Sequence, residues 1–139
     1  MSPSSTQPIL VVGLGCQRGC SVESLTALID ESLALHGLAL GDVTALASLD
    51  LKASEPGLLA LSERLGAPLV FFSAHEVAAF EEQLSHRSQI AFDTTGCYGV
   101  AESAALALAA QILAASPCLL ITRRKNSHAT FALAGANPL

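Results

Sequence analysis

Apolar runs and helical repeats of leucine alternate along the first part of the chain. Residues 9–12 form an apolar run rich in β-branched side chains, which predicts a buried strand that ends before a glycine-rich loop at 13–20. Ser21 suits the N-cap of a helix, and leucine and isoleucine then recur at helical spacing until Gly37. The pattern predicts a strand, a glycine-rich turn and an amphipathic helix.

The same alternation continues through the middle of the chain. Residues 43–49 and 69–72 predict the second and third strands. Pro56 suits the first turn of a helix between them, since a proline at that position gives up no helical hydrogen bond. Ser73 begins a capping box that opens a further helix, expected to run towards Leu84.

The last third of the chain predicts one helix and a closing hairpin. Residues 100–115 are rich in alanine and leucine and predict a helix, whereas the stretch before them favours no element clearly. Residues 118–122 and 129–133 predict two strands joined by a basic loop at 123–127. The whole pattern predicts an α/β fold whose sheet is mixed, mainly parallel, covered by helices on both faces and closed by a C-terminal β-hairpin.

Composition narrows the class of protein. The chain has 139 residues, of which 51% are hydrophobic and 14% charged, so we expect one domain at 9–139 after a flexible tail at 1–8. Scarce aromatic residues (4%) and a net charge of −5 argue against nucleic acid as a partner. The sequence predicts no membrane span and no leader peptide, so we expect a cytoplasmic protein with free thiols.

The glycine-rich loop is the first candidate for chemistry, because ligands of parallel sheets gather at the carboxyl ends of strands. Gly13, Gly15 and Gly19 would leave backbone N–H groups free for an anion, and Arg18 could grip a carboxylate or phosphate. The glycine spacing is one residue longer than the dinucleotide fingerprint, and no P-loop motif follows. The alternative is a tight turn that binds nothing.

Two further strand ends carry polar residues. Asp50, Lys52 and Glu55 place both charge signs on one loop, and Ser73 follows the third strand. Lys52 and Glu55 would either contribute to a ligand site or simply pair with each other and face water.

Cysteine and histidine give no metal signature. Cys16 and Cys20 flank the start of a helix, where a thiolate would be stabilised. The four histidines show no metal-binding spacing, so we expect no metal and no cofactor, and the alternative interpretation is buried thiols with surface imidazoles.

Two more segments have both a functional and a structural interpretation. Residues 95–102 turn into a helix, and their two glycines permit close approach of either a ligand or a neighbouring element. Three of the seven basic residues are consecutive, Arg123, Arg124 and Lys125. They would either clamp an anionic ligand or form a solvated loop.

Taken together, several segments resemble the CobE proteins and the C-terminal domain of CbiG, the cobalt-precorrin-5A hydrolase of cobalamin synthesis. The run A-S-x-D-x-K-x-x-E-x-G-L-L, followed by P-L-x-F-F-S-A, is the most specific part. The segments that carry the resemblance are 12–19, 46–59, 65–76, 99–106, 124–125 and 129–134. The chain departs from the family pattern where Gln17 separates Cys16 from Arg18, at Cys20, and over 85–97.

The resemblance implies a standalone three-layer α/β/α sandwich that acts at the ring-contraction stage of corrin synthesis. It implies a precorrin or corrinoid intermediate as ligand, with other enzymes of the pathway as further partners. Such a macrocycle is flat and ringed by carboxylates, so the residues expected to bind it are the strand-end glycines and polar groups. They are Gly13, Gly15, Cys16, Arg18, Gly19, Asp50, Lys52, Glu55, Ser73, Arg124 and Lys125.

Three functions remain open from the sequence. The first is a binder or carrier of the intermediate, since no complete catalytic set is visible. The second is a hydrolase of a precorrin lactone, with Asp50 or Glu55 as general base. The third is an interaction module for pathway enzymes, and a nucleotide-binding domain is a distant fourth.

Overall fold

The computed structural model describes residues 9–85, 87–95 and 99–136, apart from the side chains of residues 94 and 95. The predicted tail at 1–8, the end of the predicted domain at 137–139, His86 and Cys97 lie outside the described residues.

The described residues form five strands and five α-helices. In order they are β1 Val11–Cys16, α1 Val22–Ala34, β2 Ala45–Leu49, α2 Pro56–Leu65, β3 Leu69–Phe72, α3 Ala74–Val77, α4 Gln89–Thr95, α5 Val100–Leu113, β4 Cys118–Lys125 and β5 Ala129–Gly135. The helix signals read from the sequence act as expected: Ser21 accepts a hydrogen bond from the N–H of Ser24, and Pro56 begins α2.

The strands form one mixed sheet in the order β3-β2-β1-β5-β4. β1, β2 and β3 pair in parallel, and β5 runs antiparallel to both β1 and β4. Four strands therefore share one direction, so the expected α/β fold with a mainly parallel sheet and a C-terminal hairpin is confirmed. The carboxyl ends of β1, β2, β3 and β4 meet at one edge.

Helices cover both faces of the sheet. On one face α1 packs on α2, and Leu25, Ile29 and Leu58 are buried against it. On the other face α5 lies across β1, β2 and β5, and it buries Ala105 and Leu108. These two apolar layers give the three-layer sandwich, with a core built mainly from leucine and alanine.

Gly13 lets α5 approach β1 closely. A Cβ atom at Gly13 would lie 1.9 Å from the carbonyl oxygen of Ala101 and 2.8 Å from the Cβ of Ala105. Only a residue without a side chain fits there. This contact places the first turn of α5 beside the carboxyl end of β1.

Several boundaries differ from the sequence predictions. β1 continues through Gly13 and Gly15 to Cys16, because these residues pair with β5 on one side and, at Gly13, with β2 on the other. The helix opened by Ser73 ends at Val77 and continues as a 3₁₀ helix at Ala78–Gln83. The 85–99 stretch contains the short helix α4.

The basic segment was also placed wrongly by the sequence. Arg123, Arg124 and Lys125 all belong to β4, and Arg124 and Lys125 pair with β5, so the connecting turn is shorter than predicted. None of the helices in the described ranges combines the length and apolar character that a bilayer span needs.

Candidate functional site

A cleft of about 960 Å³ opens at the carboxyl ends of β1, β2 and β4, beside the first turn of α5. Its apolar lining includes Leu49, Leu51, Ile90 and Val100. Leu51 and Ile90 are 60% and 80% exposed, although both are large apolar side chains. The cleft therefore offers an apolar wall with accessible hydrophobic groups at its mouth.

Four cationic side chains line the same cleft. They are Arg18 after β1, Lys52 after β2, and Arg123 and Lys125 on β4. The structure thus brings together three predicted binding cations, Arg18, Lys52 and Lys125, and adds Arg123. Glu102 is the single carboxylate among the lining residues that the structure describes.

The remaining three basic residues have partners elsewhere. Arg64 forms an ion pair with Glu23 at 3.5 Å. Arg87 donates to the carbonyl oxygen of Glu81 at 3.2 Å. Within the part of the chain that the structure describes, the side chains of the four cleft cations form no hydrogen bond or ion pair with other residues.

Arg124 lies on the opposite face of β4 from the cleft. Its Nε donates to the Oγ of Ser32 at 2.9 Å, and its Nη2 lies 3.4 Å from a carboxylate oxygen of Glu31. Arg124 therefore faces α1, whereas Arg123 and Lys125 line the cleft. For Arg124 and Lys125, which pair with consecutive residues of β5, this is the alternation expected of a strand. The structure therefore separates the predicted pair of Arg124 and Lys125.

Several backbone N–H groups of the glycine loop already donate hydrogen bonds within the protein. Gln17 N–H donates to the carbonyl of His128 at 2.9 Å, and Cys20 N–H donates to the carbonyl of Gln17 at 3.0 Å. Gly19 N–H donates to Oε1 of Glu55 at 3.0 Å. Glu55 thus takes the place that an external anion would have at this loop.

Two predicted glycines act through packing. Gly13 admits α5 and does not line the cleft. Gly15 lines the cleft, and a Cβ atom there would lie 2.6 Å from Oγ1 of Thr130 and 3.3 Å from Cγ1 of Val100.

Asp50 and Ser73 lie outside the cleft lining. Asp50 is exposed at the start of a 3₁₀ turn, Asp50–Lys52. Ser73 forms the predicted capping box, in which its hydroxyl accepts from the N–H of Glu76 and the Glu76 carboxylate accepts from the N–H of Ser73. The contacts of Ser73 therefore serve the start of α3.

Cys16 lines the cleft as a protonated thiol. Burial raises its pKa to about 11, and the nearby Cys20 and Glu55 add to this rise while Lys52 opposes it. Burial, followed by Glu55, also raises the pKa of Cys20. The expected stabilisation of a thiolate by the helix start is therefore wrong, because desolvation outweighs it.

Glu102 is a buried carboxylate that the sequence analysis did not single out. Its side chain accepts from the N–H of Ser85 and the N–H of Arg123, both at 2.8 Å, and from the hydroxyl of Ser85. The residue is only 1% exposed. Residue 102 falls within the segments 95–102 and 99–106 noted in the sequence. Its place in the first turn of α5 is a further signal, since the helix dipole favours acidic residues there.

The described residues contain no cluster of three or more histidine, cysteine or acidic side chains that could hold a metal ion. The arrangement is instead a mixed apolar and cationic cleft, which suits an organic anion.

Comparison with known proteins identifies the family. Residues 10–134 match the family model described as cobalamin synthesis G C-terminus. The chain belongs to the cobalamin synthesis G C-terminus family. The family predicted from the sequence is confirmed, and the chain is a cobalamin biosynthesis protein.

Two relatives of the chain differ greatly in length. The chain is 41% identical over 126 residues to Protein CobE of a Sinorhizobium species, covering 91% of this chain and 79% of the relative. It is 30% identical over 126 residues to the cobalt-precorrin-5A hydrolase of Priestia megaterium. That match covers 91% of this chain but only 32% of the hydrolase.

Solved structures of two cobalamin biosynthesis proteins share the fold. The crystal structure of CobE, a protein of the cobalamin biosynthetic pathway, matches with a TM-score of 0.90 and 41% identity, covering 94% of this chain and 92% of that one. The cobalamin biosynthesis protein ChiG of Agrobacterium tumefaciens matches with a TM-score of 0.69 and 28% identity, covering 91% and 97%.

Proposed function

We propose that this chain binds a precorrin or corrin intermediate in its cleft, at the ring-contraction stage, and acts as a binder or carrier. The observation that carries the proposal is the gathering of Arg18, Lys52, Arg123 and Lys125 around an apolar cleft. These are four of seven basic residues in a chain with a net charge of −5.

The chemistry of such a ligand matches the cleft. A precorrin is a flat, partly apolar macrocycle with acetate and propionate carboxylates around its rim. Leu51 and Ile90 offer apolar surface to its faces, and the cations offer charge-assisted hydrogen bonds to its carboxylates. The volume of about 960 Å³ lies near the top of the usual range for small-molecule sites, as expected for a large ligand.

The state of the candidate catalytic groups favours binding over catalysis. Asp50 and Glu55 do not line the cleft, and Glu55 already accepts the N–H of Gly19. Glu102 is held by its own donors, and Cys16 keeps its proton at neutral pH. None of these four groups is placed as a free general base or nucleophile.

A hydrolase of a precorrin lactone is the second candidate, and the name of the Priestia megaterium relative favours it. The chain spans about a third of that protein's length, so the activity of the whole relative is not carried over. In this chain His128 would be the base to test, because it lines the cleft. Turnover of the lactone that disappears in His128→Gln would establish this candidate.

A titration with hydrogenobyrinic acid, followed by visible absorbance, tests the binding proposal. We expect a saturable spectral shift, with a Kd at least about tenfold higher in the double variant Arg18→Gln/Lys52→Gln. The matched control is Arg64→Gln/Arg124→Gln, which loses the same charge away from the cleft and should bind within about twofold of the parent. A flat titration of the parent, or equal losses in both double variants, would refute the proposal.

A further inference from the structure

The four cleft cations form two pairs on opposite sides of β5. Arg18 and Lys52 follow β1 and β2, whereas Arg123 and Lys125 lie on β4. Because neighbouring strands are about 4.8 Å apart, β2 and β4 are separated by about 14 Å across the sheet edge. One ligand that reaches both pairs must carry anionic groups on opposite sides of a broad body.

Each pair is attached to a fixed piece of backbone. Glu55 holds the N–H of Gly19, next to Arg18, and Glu55 itself lies three residues after Lys52. Glu102 holds the N–H of Arg123 from within the protein interior. The backbone that carries the cations is thus held before a ligand arrives, which reduces the entropy lost on binding.

The cleft is lined by more cations than carboxylates, whereas the chain as a whole has a net charge of −5. The single lining carboxylate in the described residues, Glu102, is covered by its donors from Ser85 and Arg123. Eleven of the twelve acidic residues lie elsewhere. A neutral ligand would leave the four cations with only solvent as partner, whereas a polycarboxylate would neutralise them.

Building on the proposed function, we infer that the cleft distinguishes the charge state of the macrocycle's rim. It binds tetrapyrroles whose peripheral groups are free carboxylates and rejects the same macrocycles once those groups are carboxamides. A carboxamide keeps nearly the shape of a carboxylate but loses its charge and one acceptor oxygen. The inference places the ligand before the reactions that amidate these carboxylates, and such reactions would weaken its hold on this protein.

The test compares hydrogenobyrinic acid with its a,c-diamide, which has the same ring and two fewer negative charges. We expect the diamide to bind at least about tenfold more weakly at about 0.1 M salt, with the difference shrinking as salt is raised. The preference for the acid should fall in Arg18→Gln/Lys52→Gln or in Arg123→Gln/Lys125→Gln, and remain in Arg64→Gln/Arg124→Gln.

The outcomes separate this inference from the function on which it rests. Equal affinity for acid and diamide would overturn the inference and leave tetrapyrrole binding standing. Absence of binding to either compound would overturn both. A preference for the acid that survives loss of each cleft pair would also overturn it, because the selection would then come from elsewhere.

Discussion

The carboxylate of Glu55 accepts the backbone N–H of Gly19 at 3.0 Å and thereby joins two loops at the edge of the sheet. One loop carries Arg18 after β1, and the other carries Lys52 after β2. Gly19 has a φ of 79°, a left-handed conformation that suits glycine. The positions of two cleft cations therefore depend on a contact between residues 36 positions apart.

Loss of this contact should affect both stability and ligand binding. Glu55→Ala removes the acceptor, so we expect the free energy of unfolding to fall by about 1 kcal/mol and the affinity for hydrogenobyrinic acid to fall severalfold. Glu55→Gln is the matched control, because its amide oxygen still accepts the N–H of Gly19. Urea unfolding and absorbance titration measure the two effects, and indistinguishable variants would show that the contact holds neither loop.

Gly13 should tolerate no side chain. In Gly13→Ala the new Cβ would overlap the carbonyl of Ala101, so α5 would have to move away from β1. We expect a loss of about 3 kcal/mol or more in the free energy of unfolding. Gly41→Ala is the control, since a Cβ there meets nothing within 4 Å. Thermal unfolding of both variants measures the difference, and a Gly13→Ala protein as stable as the parent would contradict the packing described.

Glu102 should be far more important for stability than an exposed acidic residue. Glu102→Ala removes the acceptor of the N–H groups of Ser85 and Arg123, so we expect a loss of about 2–4 kcal/mol. Glu63→Ala removes an exposed carboxylate from α2 and should change stability by less than about 0.5 kcal/mol. Chemical denaturation of the two variants provides the comparison, in which similar losses would argue against a buried acceptor at 102.

Cys16 should react slowly with alkylating reagents at neutral pH. With a pKa of about 11, compared with an ordinary 9.0, its thiolate fraction at pH 8 falls about a hundredfold. The rate should rise about tenfold per pH unit until the pH approaches 11, because only the thiolate reacts. Peptide-resolved mass spectrometry after iodoacetamide treatment measures this rate in folded and urea-unfolded protein. Equal rates in the two states at pH 8 would mean that the thiol is not shielded.

Local sequence signals predicted most of the fold. Ser21, Pro56 and the capping box at Ser73 each determine a helix start through their own backbone geometry, so they could be recognised without tertiary structure. The extension of β1 to Cys16 could not, because glycine usually weakens a strand. Gly13 and Gly15 suit β1 because a Cβ atom there would overlap neighbouring groups. These groups are the backbone of α5 at Gly13, and Val100 and Thr130 at Gly15.

Only the part of the site that follows from the order of strands and helices could be predicted from the sequence. Arg18 and Lys52 follow parallel strands, so their meeting at one edge follows from the order of elements. The three basic residues of β4 looked equivalent in sequence. Only the tertiary structure places Arg124 against α1 and leaves Arg123 and Lys125 at the cleft. The contacts of Glu102 with Ser85 and Arg123 join distant parts of the chain, so no local sequence pattern predicts them.

The contrast between neighbouring residues of β4 tests the central claim most directly. Arg123→Gln and Arg124→Gln remove the same charge from adjacent positions, but only Arg123 faces the cleft. Isothermal titration of each variant with hydrogenobyrinic acid should show a Kd about tenfold higher for Arg123→Gln and within about twofold of the parent for Arg124→Gln. Equal affinities in the two variants, or a larger loss in Arg124→Gln, would contradict the placement of the ligand in this cleft.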